Sequence, residues 1–189
     1  MAASFQVEEP GWSHQHDIKN VKGPEGVLNR NQQRKLIAEK IPEKRRANFL
    51  NPKPIEIRDV DPPDLFNPEP APDKNFLWFK VDGNLETKEQ WVHHCFLAYA
   101  SDVSLLGSGN RPHGISAYSG DVMLASLDHA MWFHNKLDFN DWHLYEMDSP
   151  FSGGARSLNR GKVFTENGTL IASVTQEGLM RPLKKAPNI

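Results

Sequence analysis

The chain has 189 residues, a length that suits one well-buried domain with an extension rather than two ordinary domains. Hydrophobic residues make up 38% of it and charged residues 24%, and no apolar run is long enough to cross a bilayer, so we expect a globular protein without a membrane span. The net charge of -2 gives no broad attraction to nucleic acid. The single cysteine, Cys95, excludes an intrachain disulfide and argues against a cysteine-based zinc site.

The segment before residue 75 holds ten of the chain's fourteen prolines and therefore predicts an extended arm rather than a continuous core. Within it, good helix formers behind an N-cap candidate predict one helix from Asn29 to Glu39. Alternating residues predict a short strand from Pro54 to Val60. The basic cluster Lys44-Arg45-Arg46 is typical of a solvated helix face, and binding of phosphate groups is the alternative interpretation.

The folded domain is predicted to start with a β-rich run from Phe76 to Val81, closed by the turn dipeptide Asp82-Gly83. A long helix follows from about Thr87 to Leu106, because apolar residues recur there at steps of three and four. Four further strands are predicted, the last of them reached through a tight turn at 166–168: Asp121 to His134, Trp142 to Asp148, Ala155 to Thr165, and Thr169 to Gly178.

This order of elements leaves one helix to cover a whole antiparallel sheet. We therefore predict an α+β chain with the hotdog fold, in which a curved antiparallel β-sheet wraps around one long central helix. The predicted organisation is an arm and linker over residues 1–75 and a folded domain over residues 76–189.

Three polar residues interrupt rows that are otherwise mostly apolar. Asp102 lies on a stripe of the long helix, Ser126 continues one face of the third strand, and Gln176 takes the place of an aliphatic residue in the last strand. Their row neighbours are Val92, Cys95, Tyr99 and Leu106 on the helix, Val122, Leu124, Asp128, Ala130 and Trp132 on the third strand, and Leu170, Ala172, Val174 and Gly178 on the last. Either each polar group is satisfied separately by the backbone or the three share one site, and the pattern alone leaves both open.

The histidines do not form a metal-binding pattern, so we predict no metal site. His129 and His134 are five residues apart on a predicted strand and face opposite sides, while the neighbours His93 and His94 diverge around a helix. We interpret all four as interior or rim residues. Ser126 lacks the Gly-x-Ser-x-Gly elbow that presents a covalent nucleophile.

Three stretches resemble the acyl-CoA thioesterase II family: Tyr99–Asp102, Ser126–His134 and Thr175–Arg181. Supporting stretches are Arg111–Ile115, Ser152–Arg156 and Ala2–Gln6, the last of which is similar to the end of the family's first hotdog domain. Members carry two hotdog repeats in one polypeptide, and this sequence resembles the linker and the second repeat. The resemblance implies that residues 1–75 are the end of a first-repeat strand and the inter-repeat linker, and that 76–189 are a C-terminal hotdog thioesterase domain.

The resemblance implies hydrolysis of fatty acyl-CoA thioesters to free fatty acid and CoA by general-base activation of water. The family's catalytic groups fall on Asp102, Ser126 and Gln176, which are the residues that interrupt the apolar rows. No cofactor is expected, since CoA is part of the substrate. For the oxyanion, the backbone N–H groups of the loop Gly107-Ser108-Gly109 and of the adjoining turn are candidate donors.

Substrate contacts are expected from two groups of side chains. The aromatic residues Trp132 and Phe133 would line the acyl chain, and Arg156, Arg160 and Arg181 would meet the CoA phosphates. An orphan repeat exposes a strand edge and apolar surface, so the expected partners are fatty acyl-CoA and either further copies of the chain, as a homo-oligomer, or a first hotdog repeat. No targeting signal is visible, and the expected compartment is the peroxisomal matrix for a eukaryotic source and the cytoplasm for a bacterial one.

Two alternatives stay open from the sequence. A hotdog hydratase or dehydratase would use an Asp with a His, here Asp128 with His129. A non-catalytic half of a double-hotdog protein would bind acyl-CoA or dimerise without turnover.

Overall fold

A computed structural model describes residues 1–7, 9–118, 120 and 122–183. Within these residues the helices are α1 (Arg30–Ile37), α2 (Glu43–Leu50), α3 (Gln90–Asp102) and α4 (Gly107–Asn110). The strands are β1 (Ile55–Asp59), β2 (Asn75–Val81), β3 (Val122–Ser126), β4 (Ala130–Phe133), β5 (His143–Gly153), β6 (Arg156–Thr165) and β7 (Leu170–Pro182). The predicted strand start at Asp121 and residues 184–189 of the predicted C-terminal domain lie outside the described residues.

The seven strands form one curled antiparallel sheet with the order β1-β2-β5-β6-β7-β3, and β4 also pairs with β7. Helix α3 covers one face, where Leu97 and Ala100 pack against buried side chains of the sheet such as Phe79 and Val174. We call this the inner face and the opposite one the outer face. The architecture confirms the predicted α+β fold with one long helix against a curved antiparallel sheet.

The arm contributes more regular structure than the sequence analysis predicted. Asn29 caps α1 through a reciprocal pair of hydrogen bonds with Gln32, at 2.8 and 2.9 Å, which confirms the helix predicted from Asn29. The prediction of one helix before the first strand is wrong, because Pro42 stands at the N-cap of a second helix, α2, which buries Phe49. Proline is compatible with the start of a helix and not with its interior, so it separates the two.

The predicted boundary at residue 75 leaves β1 in the arm, whereas the structure pairs β1 with β2 over five residues. Residues 18 and 21 of the arm also pack on the outer face, and Trp78 donates a hydrogen bond to the Lys22 carbonyl at 2.9 Å. Parts of the 1–75 segment therefore belong to the sheet and its outer layer.

Helix α3 ends four residues earlier than predicted. Val103 is already extended, with ψ 125°, and Ser104 has a positive φ of 69°, so the helix stops at Asp102. The prediction that Asp102 lies on a buried stripe is also wrong. The buried face of α3 carries residues 93, 97, 100 and 101, whereas Tyr99 is half-exposed and Asp102 is exposed.

The predicted strand from Asp121 to His134 is interrupted by a β-bulge. Between Ser126 and Ala130 the chain advances four residues, while the paired strand β7 advances only three, from Gly178 to Thr175. The side chain of Asp128 fills the gap in the ladder by accepting a hydrogen bond from the Glu177 N–H at 2.7 Å. One extra residue moves every following side chain to the other face, which has direct consequences for the site.

Candidate active site

Three side chains from distant parts of the chain meet at the end of α3. The Gln176 amide nitrogen donates to Asp102 Oδ1 at 3.0 Å and to Ser126 Oγ at 2.6 Å. The Ser126 hydroxyl lies 3.4 Å from the same Asp102 oxygen. The structure therefore brings together the three residues that the sequence analysis proposed as one site.

Each of the three is positioned by a specific local feature. Asp102 is the last residue of α3, and Ser126 is the last residue of β3 before the bulge. Gln176 lies on the inner face of β7, opposite Asn159 of β6, and is completely buried. Burial of an amide is tolerated because its hydrogen-bonding groups are paired, and here the partners are the other members of the site.

The arrangement leaves one reactive position open. Both amide hydrogens of Gln176 are used, and the Ser126 hydroxyl is directed at Asp102 Oδ1. Asp102 Oδ2 has no hydrogen-bond partner within the described part of the chain, and both Asp102 and Ser126 are exposed. The carboxylate is therefore held by two donors on one oxygen and is accessible to water on the other.

Tyr145 supports the end of α3 from inside the core. Its hydroxyl donates to the Ser101 carbonyl at 2.7 Å. Burial, and secondly the negative charge of Asp102, raise the pKa of Tyr145 above its ordinary value, so the phenol stays protonated and keeps donating. The ring lies against Gly161, where a Cβ would come within 2.3 Å of a ring carbon. Glycine at position 161 is thus required for the ring to reach Ser101.

His129 belongs to the same cluster, a contact that the sequence pattern does not predict. Its Nδ1 lies 2.5 Å from Gln176 Oε1, and its Nε2 lies 2.8 Å from Ser101 Oγ. In a regular strand over residues 121–134, alternation places His129 on the opposite face from Ser126. The bulge removes that alternation and brings His129 to Gln176.

The bulge also separates the two aromatic residues proposed for the acyl chain. Phe133 pairs with Ala172 on the inner face and its ring lies 4.5 Å from that of His94. Trp132 pairs with Ser173 and points to the outer face, with 54% of its surface exposed. The predicted shared face of Ser126 and Trp132 is therefore wrong.

The three arginines proposed for CoA are not near the triad. Strand alternation puts Arg156 and Arg160 on the outer face of β6, because Asn159 between them faces inward, and Arg181 lies on the outer face of β7. Arg156 is paired with Glu177 at 2.8 Å, and Arg160 binds Asp148 through two contacts of 2.8 and 2.9 Å. The structure does not bring these side chains together with Asp102, Ser126 and Gln176.

Other cations line a cavity of about 90 Å³ beside the exposed side of α3, between α1 and β1. Its walls include Tyr99, one helical turn before Asp102, together with Arg30, Arg34 and Lys53. Arg30 is neutralised by Asp59. Arg34 and Lys53 have no carboxylate partner within the described residues, and burial followed by the charge of Arg30 lowers the pKa of Arg34.

The loop proposed as the oxyanion donor is already occupied by internal hydrogen bonds. The N–H groups of Gly107 and Ser108 donate to the carbonyls of Ser104 and Leu105 at 2.9 and 3.2 Å. Gly109 N–H donates to the side chain of Asn159 at 3.0 Å. These three N–H groups are therefore not free to bind an oxyanion, which leaves the adjoining turn as the candidate donor.

The part of the chain that the structure describes contains neither a cluster of metal-binding side chains nor a membrane-spanning helix. No group of three or more His, Cys, Asp or Glu side chains converges there in a geometry that suits a metal ion. Likewise, none of the helices in ranges 1–7, 9–118, 120 and 122–183 is long and apolar enough to cross a bilayer.

Comparison with known proteins places the chain among thioesterases. The family model described as acyl-CoA thioesterase matches residues 53–179. The chain is 35% identical over 183 residues to acyl-CoA thioesterase 2 of Haemophilus influenzae, which covers 96% of this chain and 63% of that protein. It spans less than two thirds of the length of this relative.

Two solved structures are similar in fold. The acyl-CoA thioesterase II TesB2 of Mycobacterium marinum superposes with a TM-score of 0.71 at 34% identity, covering 95% of this chain and 61% of that one. A hotdog-fold protein of unknown function from Alicyclobacillus acidocaldarius superposes with a TM-score of 0.58 at 16% identity, over 95% of this chain and 59% of that one. The likeness confirms the predicted hotdog fold.

Proposed function

Because this chain belongs to the acyl-CoA thioesterase family, we propose that it hydrolyses a fatty acyl-CoA thioester to a free fatty acid and CoA. The observation that carries the proposal is the hydrogen-bonded group of Asp102, Ser126 and Gln176, in which one carboxylate oxygen is anchored and the other is open. Such a group suits the activation of a water molecule.

In this mechanism a water molecule lies between Asp102 Oδ2 and the Ser126 hydroxyl oxygen. Asp102 accepts a proton from the water molecule while the water oxygen attacks the thioester carbonyl carbon. The C–S bond then breaks, and the departing thiolate takes up the proton that Asp102 accepted. The net change adds one water and forms a carboxylic acid and a thiol, with no acyl-enzyme and no cofactor beyond the CoA of the substrate.

Gln176 positions the side chains of Asp102 and Ser126. Its amide hydrogens are both donated, so it orients Asp102 and Ser126 and lowers the rotational freedom of the carboxylate. Holding a catalytic group in its reacting geometry before the substrate arrives is a major source of rate enhancement.

The acyl chain is proposed to lie along the inner face, next to Phe133 and the β3 residues Val122 and Leu124. These β3 residues share the face of Ser126 by strand alternation and pairing with β7. Trp132, on the outer face, stays a proposed contact that this geometry does not favour.

For the CoA phosphates, the geometry favours the cavity beside α3 over the outer arginines. Lys53 and Arg34 have no carboxylate partner among the described side chains, whereas Arg156 and Arg160 already have one each. Lys53→Gln or Arg34→Gln should raise KM for acyl-CoA about three- to tenfold, since a charge-assisted hydrogen bond to a CoA phosphate is lost in a partly solvated setting. Arg156→Gln is the matched control, and an increase in KM for that variant alone would support the outer arginines instead.

We also propose that the chain self-associates or associates with a first hotdog repeat. Large apolar side chains are exposed on α3 and on the β3–β4 edge, among them Trp91, Tyr99, Leu127 and Phe133. Exposed apolar patches next to a free strand edge are typical of interaction surfaces. Sedimentation velocity of the purified chain checks this, and a strictly monomeric species with full activity would contradict it.

The compartment is proposed from the family alone: the peroxisomal matrix if the source is eukaryotic and the cytoplasm if it is bacterial. Imaging of a fluorescent fusion in the source organism, with the C-terminus left free, checks this proposal.

The decisive experiment measures CoA release from palmitoyl-CoA with a thiol-reactive dye. Asp102→Asn should lower kcat at least ~100-fold, because the isosteric amide cannot accept the proton from water. Asp82→Asn is the matched control, since Asp82 is an exposed carboxylate whose side chain has no hydrogen bond within the described residues. Cys95 is exposed and adds one equivalent of signal that does not turn over, so only the steady-state rate is compared.

Turnover that is lost in Asp102→Asn and retained in Asp82→Asn supports the thioesterase and its base together. Turnover that survives in Asp102→Asn contradicts the assigned base. Binding of acyl-CoA without turnover supports the non-catalytic half. The hydratase alternative has no structural support, because Asp128 and His129 each bind other groups rather than forming a pair.

A further inference from the structure

A chain of hydrogen bonds extends from the core to the proposed catalytic carboxylate. It runs from Ser101 to His129 Nε2 at 2.8 Å, from His129 Nδ1 to Gln176 Oε1 at 2.5 Å, and from Gln176 Nε2 to Asp102 at 3.0 Å. Ser101 is completely buried, and its hydroxyl is also 2.8 Å from the Ala98 carbonyl. The chain therefore starts from a fixed point on α3.

The direction of the two bonds made by the Gln176 amide follows from the chemistry of their ends. An ionised carboxylate only accepts hydrogen bonds, so the side of the Gln176 amide that faces Asp102 must be the nitrogen. The oxygen of the same amide then faces His129 and needs a donor. His129 Nδ1 must carry a hydrogen for that bond to form, whichever form the rest of the ring takes.

An amide that rotates by half a turn exchanges these two ends. In the rotated orientation Gln176 Oε1 would face the Asp102 carboxylate, two acceptors would oppose each other, and both bonds from Nε2 to Asp102 and Ser126 would be lost. Asp102 and Ser126 favour the productive orientation from one end of the amide. His129, although its own side chain is exposed, favours the same orientation from the other end, because Gln176 is completely buried and an unpaired amide oxygen is costly there.

We propose that His129 is a positioning residue that donates a hydrogen bond from Nδ1 to Gln176 and so holds the Gln176 amide in the orientation that anchors Asp102 and Ser126. The inference rests on the proposed hydrolysis for its effect on rate, and on geometry alone for the tautomer of the ring. It gives His129 a role different from the acid–base role of a hydratase, because His129 does not exchange its Nδ1 proton with the substrate.

The kinetic test compares two substitutions of His129 that both lose the contact to Ser101 but differ in whether they can donate a hydrogen bond to Gln176. His129→Asn places an amide N–H close to the position of Nδ1, and His129→Leu has a similar branched shape with no donor. Both lose the contact to Ser101, so the difference between them reports on the bond to Gln176. His129→Leu should have a kcat about tenfold below that of His129→Asn, with KM for palmitoyl-CoA unchanged within about twofold.

Equal losses of kcat in the two variants, or a wild-type kcat in His129→Leu, would overturn the proposal. A rise of KM in both variants with kcat retained would also overturn it, since that result indicates a role in binding. Circular dichroism and thermal unfolding of both variants show whether they are folded.

A second measurement requires no catalysis. In ¹⁵N-histidine-labelled wild-type protein, the ring nitrogens of His129 are identified by their absence in His129→Asn. The expected spectrum shows a protonated Nδ1, with Nε2 either free or protonated. A neutral ring that carries its proton on Nε2 alone would overturn the proposal. If the wild-type chain hydrolyses no acyl-CoA but shows the protonated Nδ1, the positioning bond stands and the proposed function fails.

Discussion

His143 predicts a measurable loss of stability in mild acid. Its side chain is completely buried between aromatic rings, with centroids 6.0 Å from Phe79 and 5.8 Å from Phe139. Burial lowers the pKa of His143 to about 4, and neither ring nitrogen has a hydrogen-bond partner within the described residues that would stabilise the charged form. In the unfolded chain the pKa of His143 is near the ordinary histidine value of 6.5.

Because the unfolded state binds the proton more tightly, the free energy of unfolding falls as the pH drops from 6.5 towards 4. The difference between the ordinary pKa of 6.5 and the value of about 4 in the folded chain corresponds to about 3 kcal/mol, of which about 2 kcal/mol is lost between pH 7 and pH 5. Urea unfolding of the wild type and of His143→Phe at the two pH values checks this. The variant keeps the aromatic packing and removes the titrating group.

The wild type should lose about 2 kcal/mol more than His143→Phe over this interval. His94 and His134, whose pKa values are also lowered by burial, add a similar pH dependence to both proteins, so their contribution cancels in the comparison. An identical pH dependence in the two proteins would refute the reasoning that His143 is buried in its neutral form.

Two other substitutions test the supports of the fold and the site. Gly161→Ala places a Cβ 2.3 Å from a Tyr145 ring carbon. We therefore expect thermal unfolding to show a loss of about 1–3 kcal/mol in the free energy of unfolding, together with a lower kcat. Gly11→Ala is the control and should leave both quantities unchanged, because no atom lies within 4 Å of its Cβ. A wild-type melting curve for Gly161→Ala would contradict the close approach. Asn29→Ala removes the capping box of α1 and should reduce the unfolding free energy in urea by about 1 kcal/mol, and no change would mean that α1 does not unfold with the domain.

The sequence predicted the elements that depend on local chemistry. The cap at Asn29, the alternating residues of β1 and the turn at 166–168 each specify their own conformation, and the structure has a helix, a strand and a hairpin at these places. The end of α3 was not predictable in the same way. Nothing in the apolar periodicity up to Leu106 indicates that Ser104 adopts a positive φ.

The bulge shows a limit of strand periodicity. Alternation continues locally on both sides of residues 127–129, so the sequence looks like one strand, but one unpaired residue reverses which face each side chain takes. For this reason strand periodicity places Trp132 on the wrong face and gives no indication of the contact between His129 and Gln176. The arginines were a different case, since Arg156 and Arg160 alternate with the buried Ser157 and Asn159, and that alternation was available in the sequence.

The open position of the site leads to a last prediction. Gln176 is buried, but Asp102 and Ser126 are exposed at the sheet edge formed by β3 and β4, close to exposed apolar side chains that include Leu127 and Phe133. Electrostatic and hydrogen-bond effects on a reacting carbonyl weaken in bulk water and strengthen when water is excluded.

A surface that covers this edge, from a second copy or from a first repeat, should therefore raise kcat as well as bury apolar area. The turnover per chain should increase with protein concentration over the range in which sedimentation detects association. Leu127→Asp places a charge on this edge without changing Asp102, Ser126 or Gln176. It should shift the association curve and the curve of turnover against concentration to higher protein concentration by the same factor. Turnover that stays constant while the association state changes would show that the exposed site is complete in a single chain.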